Sequence, residues 1–276
     1  MEEASVKDFK MPKFPGMPGM FGGDQDPKNP KIVGAGNIAG GKYESVTITG
    51  SGKVDGSVEA NSISASGSAQ FAGDVKTGDL RASGSVGISG SLRADTVTWT
   101  GSGSVGGGVT AEKFVSHGAF GIAQALDADE IEIELNGDSN ADSIRGKNVS
   151  VKRGHGASGG SANASARGGS ASTNVTIGEA HSSGSAGASS YTFVSKGSAG
   201  NAVGGYASSG SSGDPSDSRL QVGSIRGDTI ELENTDAKSV LGKNITIGEG
   251  CEIDTVTYSG TLTVHPSAKV KSKDKA

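Results

Sequence analysis

The sequence predicts an all-β chain wound as a single-stranded parallel β-helix, a β-solenoid with turns of about 17 residues. Three observations carry the prediction. From Tyr43 the chain repeats as YESVTITGSGKVDGSVE, ANSISASGSAQFAGDVK, TGDLRASGSVGISGSLR, ADTVTWTGSGSVGGGVT and AEKFVSHGAFGIAQALD. Apolar residues keep three columns of that repeat. The fourth holds Val46, Ile63, Leu80, Val97, Phe114, Ile131 and Val149; the twelfth Val54, Phe71, Ile88, Val105 and Ile122; the sixteenth Val58, Val75, Leu92, Val109 and Leu126. Glycine keeps the eighth (Gly50, Gly67, Gly84, Gly101, Gly118) and, until Gln124, the fourteenth (Gly56, Gly73, Gly90, Gly107).

Within a cycle the inward residues are spaced by two, which is the alternation of strands. The faces are too short for an array of hairpins. Glycine at the eighth and fourteenth positions is expected to turn the corners at positive φ. Composition alone would argue for disorder: 47 glycines and 4% aromatics leave little apolar surface to offset chain entropy. The fixed columns reverse that reading. One turn alone buries too little to be stable, so turns must stack, complete each other's burial and pair backbone to backbone. About ten turns at roughly 4.8 Å each give a rod on the order of 50 Å long. Trp99 stands in the sixth column between Ala82 and Ser116, and small neighbours above and below make it a core residue rather than a binding platform.

The elements follow in order. Residues 1–30 read as a disordered tail. "FKMPKFPGMPGMFGG" sets Phe9, Met11, Phe14, Met17, Met20 and Phe21 among Pro12, Pro15 and Pro18, which forbid a regular helix. With Lys7, Lys10 and Lys13 it is also a candidate contact with membrane or a partner. Residues 31–154 are β-helix turns. Residues 155–218 are a Gly/Ser/Ala-rich insertion, read either as flexible loop or as one or two degenerate turns with long excursions. "TNVTIGEAH" echoes "KNITIGEG", and "YTFVSKGSAG" echoes "EKFVSHGAF", which favours the second reading. Turns resume over 219–270, where Ile230 and Leu232, Ile245 and Ile247, and Leu262 and Val264 take the fourth and sixth columns. Residues 271–276 read as a C-terminal tail.

Charge and cysteine use narrow the function. A net charge of −5, with one short basic run "KVKSKDKA", argues against a nucleic-acid binder. A single cysteine allows no disulfide within the chain and suits a reducing compartment. "MEEASVKDFK" lacks the apolar run of a secretory signal, and no apolar stretch is long enough to span a membrane, so the expected location is cytoplasmic.

No catalytic, cofactor-binding or metal-ligating constellation is expected. His117, His155, His181 and His265 share no close motif with one another or with Cys251. Cys251 falls in the inward tenth column and reads as a structural thiol. The acidic band "DADEIEIELNGDSNAD" points Ile131 and Ile133 inward and Glu132 and Glu134 outward, as do Glu231 and Glu233 later. It is a solvated face that discourages lateral aggregation, and its spacing fits no calcium loop. Hexapeptide acyltransferases need a strict period of six, which these columns lack. Ice-binding threonine ladders would need every turn to carry "TVTWT" or "SVTIT", and only some do. A β-helical surface adhesin or carbohydrate-binding solenoid would need export. No nucleotide-binding motif is present.

The ends of a β-helix are open sheet edges, which template further pairing unless capped. The terminal turns are expected to mate, through Val46, Ile48 and Val58 at one end and Leu262 and Val264 at the other.

The opening "KIVGAGNIAGGKYESVTITGSGKVDGSV", the Gly/Ser-spaced turns and the closing "IDTVTYSGTLTVHPSAKV" together resemble the bactofilins, bacterial polymer-forming cytoskeletal proteins, over about residues 31–153 and 220–270. The resemblance implies a right-handed β-helix that polymerises end to end into filaments without nucleotide. It also implies a non-enzymatic scaffold that partners itself and envelope or motility proteins, shapes cells, and touches the inner face of the cell membrane through its N-terminal tail. This chain departs from the family pattern in having more turns and the 155–218 insertion.

Overall fold

The computed structural model describes residues 26–154 and 218–276. Across them the chain runs strand after strand. β1 is Lys31–Phe71, β2 Val75–Ile88, β3 Leu92–Val105, β4 Val109–Leu135, β5 Ser139–Arg145 and β6 Asn148–Arg153. After the insertion come β7 Leu220–Leu232, β8 Thr235–Ile247, β9 Glu252–Tyr258, β10 Leu262–Val264 and β11 Lys269–Lys275. Every pairing is parallel, and the sheet order β1-β2-β3-β4-β5-β7-β8-β9-β11 follows the chain, with β6 joining β4 to β7 and β10 lying on β8. Each strand therefore pairs with the next passage of the same chain. This is a β-solenoid of about nine turns.

The sequence columns are its ladders. Val58 pairs with Val75, Val75 with Leu92 and Leu92 with Val109. Ile63, Leu80, Val97 and Phe114 stack in the fourth column, and Phe71, Ile88, Val105 and Ile122 in the twelfth. All of these residues are buried, so the core is one continuous apolar column along the axis.

The two glycine columns work differently. In the eighth, Gly50, Gly67, Gly84 and Gly101 have φ between 107° and 112°, where a side chain would be strained. Gly118 ends that run without a positive φ. In the fourteenth, only Gly56 has one (102°). Gly73, Gly90 and Gly107 are there because adjacent turns press close: a Cβ on Gly73 would sit 2.5 Å from the Ser57 nitrogen. The expectation of positive φ at that column is corrected to one of close backbone approach.

Trp99 lies in register with Ala82 on one side and Ser116 on the other. Its ring also covers Gly103 of its own turn, where any Cβ would overlap the indole. One turn on, the sizes are exchanged: Ser116 stands opposite Trp99, and Phe120 opposite Gly103. Phe120 meets Phe114 edge to face at 5.7 Å. The narrow core thus holds its volume by trading large and small residues between two columns.

Beyond β4 the period changes. Ile122 pairs with Ala141, and the register shifts before Ala125 meets Ser143, absorbing an extra residue in a bulge. Later turns contract: Ile230 stacks on Ile245, only 15 residues on, before Ile245 meets Leu262 at the original spacing. The fourth and sixth columns continue as predicted, through Val149, Ile230, Ile245 and Leu262, and through Val151, Leu232, Ile247 and Val264.

No extra turn intervenes at the insertion. β5 pairs directly with β7, from Ser139↔Leu220 to Arg145↔Arg226, and β6 pairs with the following part of β7, from Asn148↔Thr229. The reading of degenerate turns within the insertion falls on residues 155–217, outside the described residues, and the described column is continuous from β5 to β7. "TNVTIGEAH" and "YTFVSKGSAG" lie outside the described residues. Gly154 and Ser218 flank one corner of one turn. The Gly154 amide donates to the Leu135 carbonyl at 2.9 Å, and the Asn234 side-chain amide donates to the Ser218 carbonyl at 3.2 Å.

The last residues also differ from expectation. Residues 271–276 continue the solenoid, because β11 pairs with β9 from Lys269↔Glu252 to Lys275↔Tyr258. Backbone pairing and charge hold this polar strand: Lys269 reaches Glu252 and Lys271 reaches Asp254, both at 2.7 Å. At the other end the solenoid begins before residue 31. The Glu44 amide donates to the Lys28 carbonyl at 2.8 Å, and the Thr47 amide to that of Pro30 at 3.1 Å.

Candidate functional site

The features that bear on function are the two terminal turns and the outward ladders between them. At the N-terminal end the structure corrects the expected mating residues. Val46, Ile48 and Val58 are buried, because an earlier turn carrying Ile32 and Ile38 lies over them. Gly34 and Gly40 of that turn stack on Gly50 and Gly56. The sequence repeat, counted from Tyr43, started one turn too late; "KIVGAGNIAGGK" has the alternation but too few large residues to stand out. Tyr43 folds back across this turn and its hydroxyl donates to the Ala39 carbonyl at 2.7 Å. Val33 is 69% exposed beside it.

At the C-terminal end Leu262 and Val264 do lie on a terminal turn, half-buried and packed against the core. Two columns away the apolar ladder stops at a charge. The sixteenth column runs Ile144, Ile225, Val240, Val256 and then Lys273. An inward-register lysine on the last turn is a known means of discouraging further strand addition. The two ends are therefore chemically unlike, which the sequence reading did not anticipate. The signal was present in "KVKSKDK", once β11 is placed in register.

Between the ends, surface charges pair from turn to turn. Lys28 meets Glu44, Lys113 meets Glu130, and Lys147 meets Asp129, at 2.7–3.2 Å. Glu59 is bracketed by Lys42 and Lys76, at 2.9 and 3.0 Å, and their hydrogen bonds lower its pKa to about 2. In the acidic band Ile131 and Ile133 are buried while Glu130 and Glu132 face solvent. Its carboxylates meet side chains of adjacent turns, Glu130 with the Lys113 ammonium and Glu134 with the His117 ring at 3.7 Å. Glu233 accepts from the Arg153 amide at 2.9 Å.

Cys251 sits where the tenth-column reading put it, next before the Glu252 that pairs with Asp236, and is 1% exposed. Burial pushes its thiol up to about 11, and Sγ–H donates to the Leu232 carbonyl at 3.4 Å. Neither feature makes a nucleophile. His265 lies 3.6 Å from Glu249, and its ring contacts Ser267. Among the described residues no three His, Cys, Asp or Glu side chains are grouped to hold a metal. His155 and His181 lie outside the described residues, as do Phe9, Met11, Phe14, Met17, Met20 and Phe21. Among the described residues no helix is long and apolar enough to cross a membrane.

No family model matches the chain, and no solved structure matches it. Two uncharacterised proteins of Bacillus subtilis strain 168 are similar to short stretches. YhbE is 53% identical over 51 residues, 18% of this chain and 22% of its own length. YhbF is 40% identical over 57 residues, 21% of this chain and 24% of its own length. The chain thus spans about a quarter or less of each relative it matches.

Proposed function

We propose that this chain is a non-enzymatic scaffold of the bactofilin kind. Its solenoids associate end to end without nucleotide and hold envelope or appendage machinery at the cytoplasmic face of the membrane. The observation that carries the reading is the parallel ladder itself: among the described residues no further strand lies beyond the two ends of its sheet order. Such edges are templates for another copy. The resemblance in the opening and closing motifs supports the same reading, and the outward charge pairs favour contact at the ends over contact along the sides.

The difference between the ends refines it. Lys273 and its neighbouring lysines make a poor face for a second C-terminal end, since like charges would be brought together. The N-terminal turn, with Val33 exposed, is the better mating face. Analytical ultracentrifugation and negative-stain microscopy of the full chain over a concentration series test this. Elongated particles, in steps of one solenoid length, are expected to grow with concentration and to diminish in Val33→Lys. Lys273→Val is expected to lengthen them. Monomers at every concentration, in wild type and in Lys273→Val, would sink the reading.

A further inference from the structure

Many surface cations stack on a carboxylate of the next turn, as Lys269 does on Glu252. Like charges also meet in register, as Lys76 does with Arg93 after pairing with Glu59, but one such corner, on the C-terminal turns, borders a groove. At this corner Arg145 is in direct register with Arg226, and the next residue along the ladder is Leu241. Like charges directly opposite one another on a sheet are destabilising. Asp127 answers Arg145 from the far side at 3.6 Å, but Arg226 has Arg145 and Leu241 for neighbours and makes no ion pair among the described residues.

These residues border a groove of about 590 Å³. Its floor is backbone, because Gly146, Gly227 and Gly242 stack there; a Cβ on Gly227 would lie 2.7 Å from the Gly146 carbonyl. That close approach explains the glycines without a ligand. It does not explain the charge. The rim carries Arg145, Lys147, Arg226 and Lys243 against one acidic side chain, Asp228, and the C-terminal residue Ala276, on a chain whose net charge is −5. Lys147 is held by Asp129 at 2.7 Å, which raises its pKa, whereas Lys243 makes no ion pair among the described residues. Leu241, at 42% exposed, and half-buried Tyr258 form an apolar wall beside these cations, and Ala276 borders the same groove.

We propose that this groove binds a phosphate group, carried by a soluble ester or by a lipid headgroup, with Arg226 and Lys243 as its principal grips and Arg145 as the second guanidinium. Two arginines in register on strands about 4.8 Å apart can both donate to one anion placed between them. A tetrahedral phosphate dianion offers oxygens in both directions and the charge to relieve the repulsion, while a planar carboxylate faces one arginine at a time. The body of the ester would lie against Leu241 and Tyr258. The site stands independently of end-to-end association.

The test uses the full chain with phenyl phosphate as the soluble probe, followed by calorimetry at low salt, and vesicles of phosphatidylcholine with phosphatidic acid, followed by flotation. Arg226→Gln and Lys243→Gln are each expected to weaken phenyl phosphate binding about tenfold or more. Lys76→Gln, on a paired lysine elsewhere, is expected to leave it unchanged. These side chains are exposed, so urea midpoints should match wild type and separate lost binding from lost folding. Flotation that Arg226→Gln abolishes assigns the phosphate to a headgroup; binding of the probe without flotation assigns it to a soluble ester. Absence of both kinds of binding, or equal loss in Lys76→Gln, overturns the proposal.

Discussion

The turns before the insertion and those after it solve the same corner in different ways. From Gly50 to Gly101 the chain reverses on glycines at φ near 110°, one above another at a constant period. After β6, the corresponding corner carries Gly154 and Ser218 on one turn and Asn234 on the next, the one non-glycine with positive φ among the described residues (46°). Asn234 tolerates that backbone and uses its side chain to hold Ser218. The early turns are uniform because each corner leans on an identical one. The later turns vary in length, and their corner passes from Asn234 to Gly250 at φ 70° with no repeated glycine beneath it. A solenoid thus tolerates insertion where its corners have ceased to be a glycine ladder.

Disturbing the two regions should separate them. The largest effect belongs to the early core. Trp99→Ala empties the one wide position of a narrow column and should cost about 3–5 kcal/mol in urea unfolding. Restoring volume with Gly103→Val alone, in the presence of Trp99, should also destabilise, since the indole already fills that space.

The corners come next. Gly84→Ala places a methyl against the Gly67 carbonyl in a strained backbone and should cost roughly 1–3 kcal/mol. Asn234→Gly frees the backbone but loses the hold on Ser218, and its urea midpoint should move far less. Equal losses would show that the two corners are alike after all.

A gain is expected from Ser116→Ala. The Ser116 hydroxyl and the Trp99 Nε1 are both buried with no hydrogen-bond partner among the described residues, and removing the hydroxyl should stabilise by about 1 kcal/mol.

Replacing residues 155–217 by a short Gly-Ser link should leave the melting temperature nearly unchanged, because β5 and β7 already pair across the gap and loop length enters only logarithmically. A large fall would mean that the insertion supports the later turns.

The smallest effect is electrostatic. Glu59 is held ionised by Lys42 and Lys76, so its folded-state pKa lies below the ordinary 4.5. Its contribution is present above that ordinary value and disappears as pH falls toward about 2. Being exposed, it should be slight. Glu59→Gln should lower the melting temperature slightly at neutral pH and leave it unchanged near pH 2, so that its decline between those pH values is shallower.

The sequence by itself determined the repeat, the strand alternation, the three apolar columns and the inward place of Trp99 and Cys251. Those follow from side-chain polarity at fixed spacing, which a one-dimensional pattern records. The same logic assigned turns from residue 31 but could align the repeat only from Tyr43, since Ile32 and Ile38 are flanked by residues too small to mark a period. It also read the charged strand β11 as a tail, since "KVKSKDK" joins the solenoid through backbone hydrogen bonds and cross-turn pairs with Glu252 and Asp254 rather than through apolar burial. Only the tertiary structure decided which residues stack across the insertion, that Arg145 meets Arg226 some eighty positions later, and that Lys273 closes an apolar column. Register between distant turns depends on every bulge and omission in between, and no local pattern carries that sum.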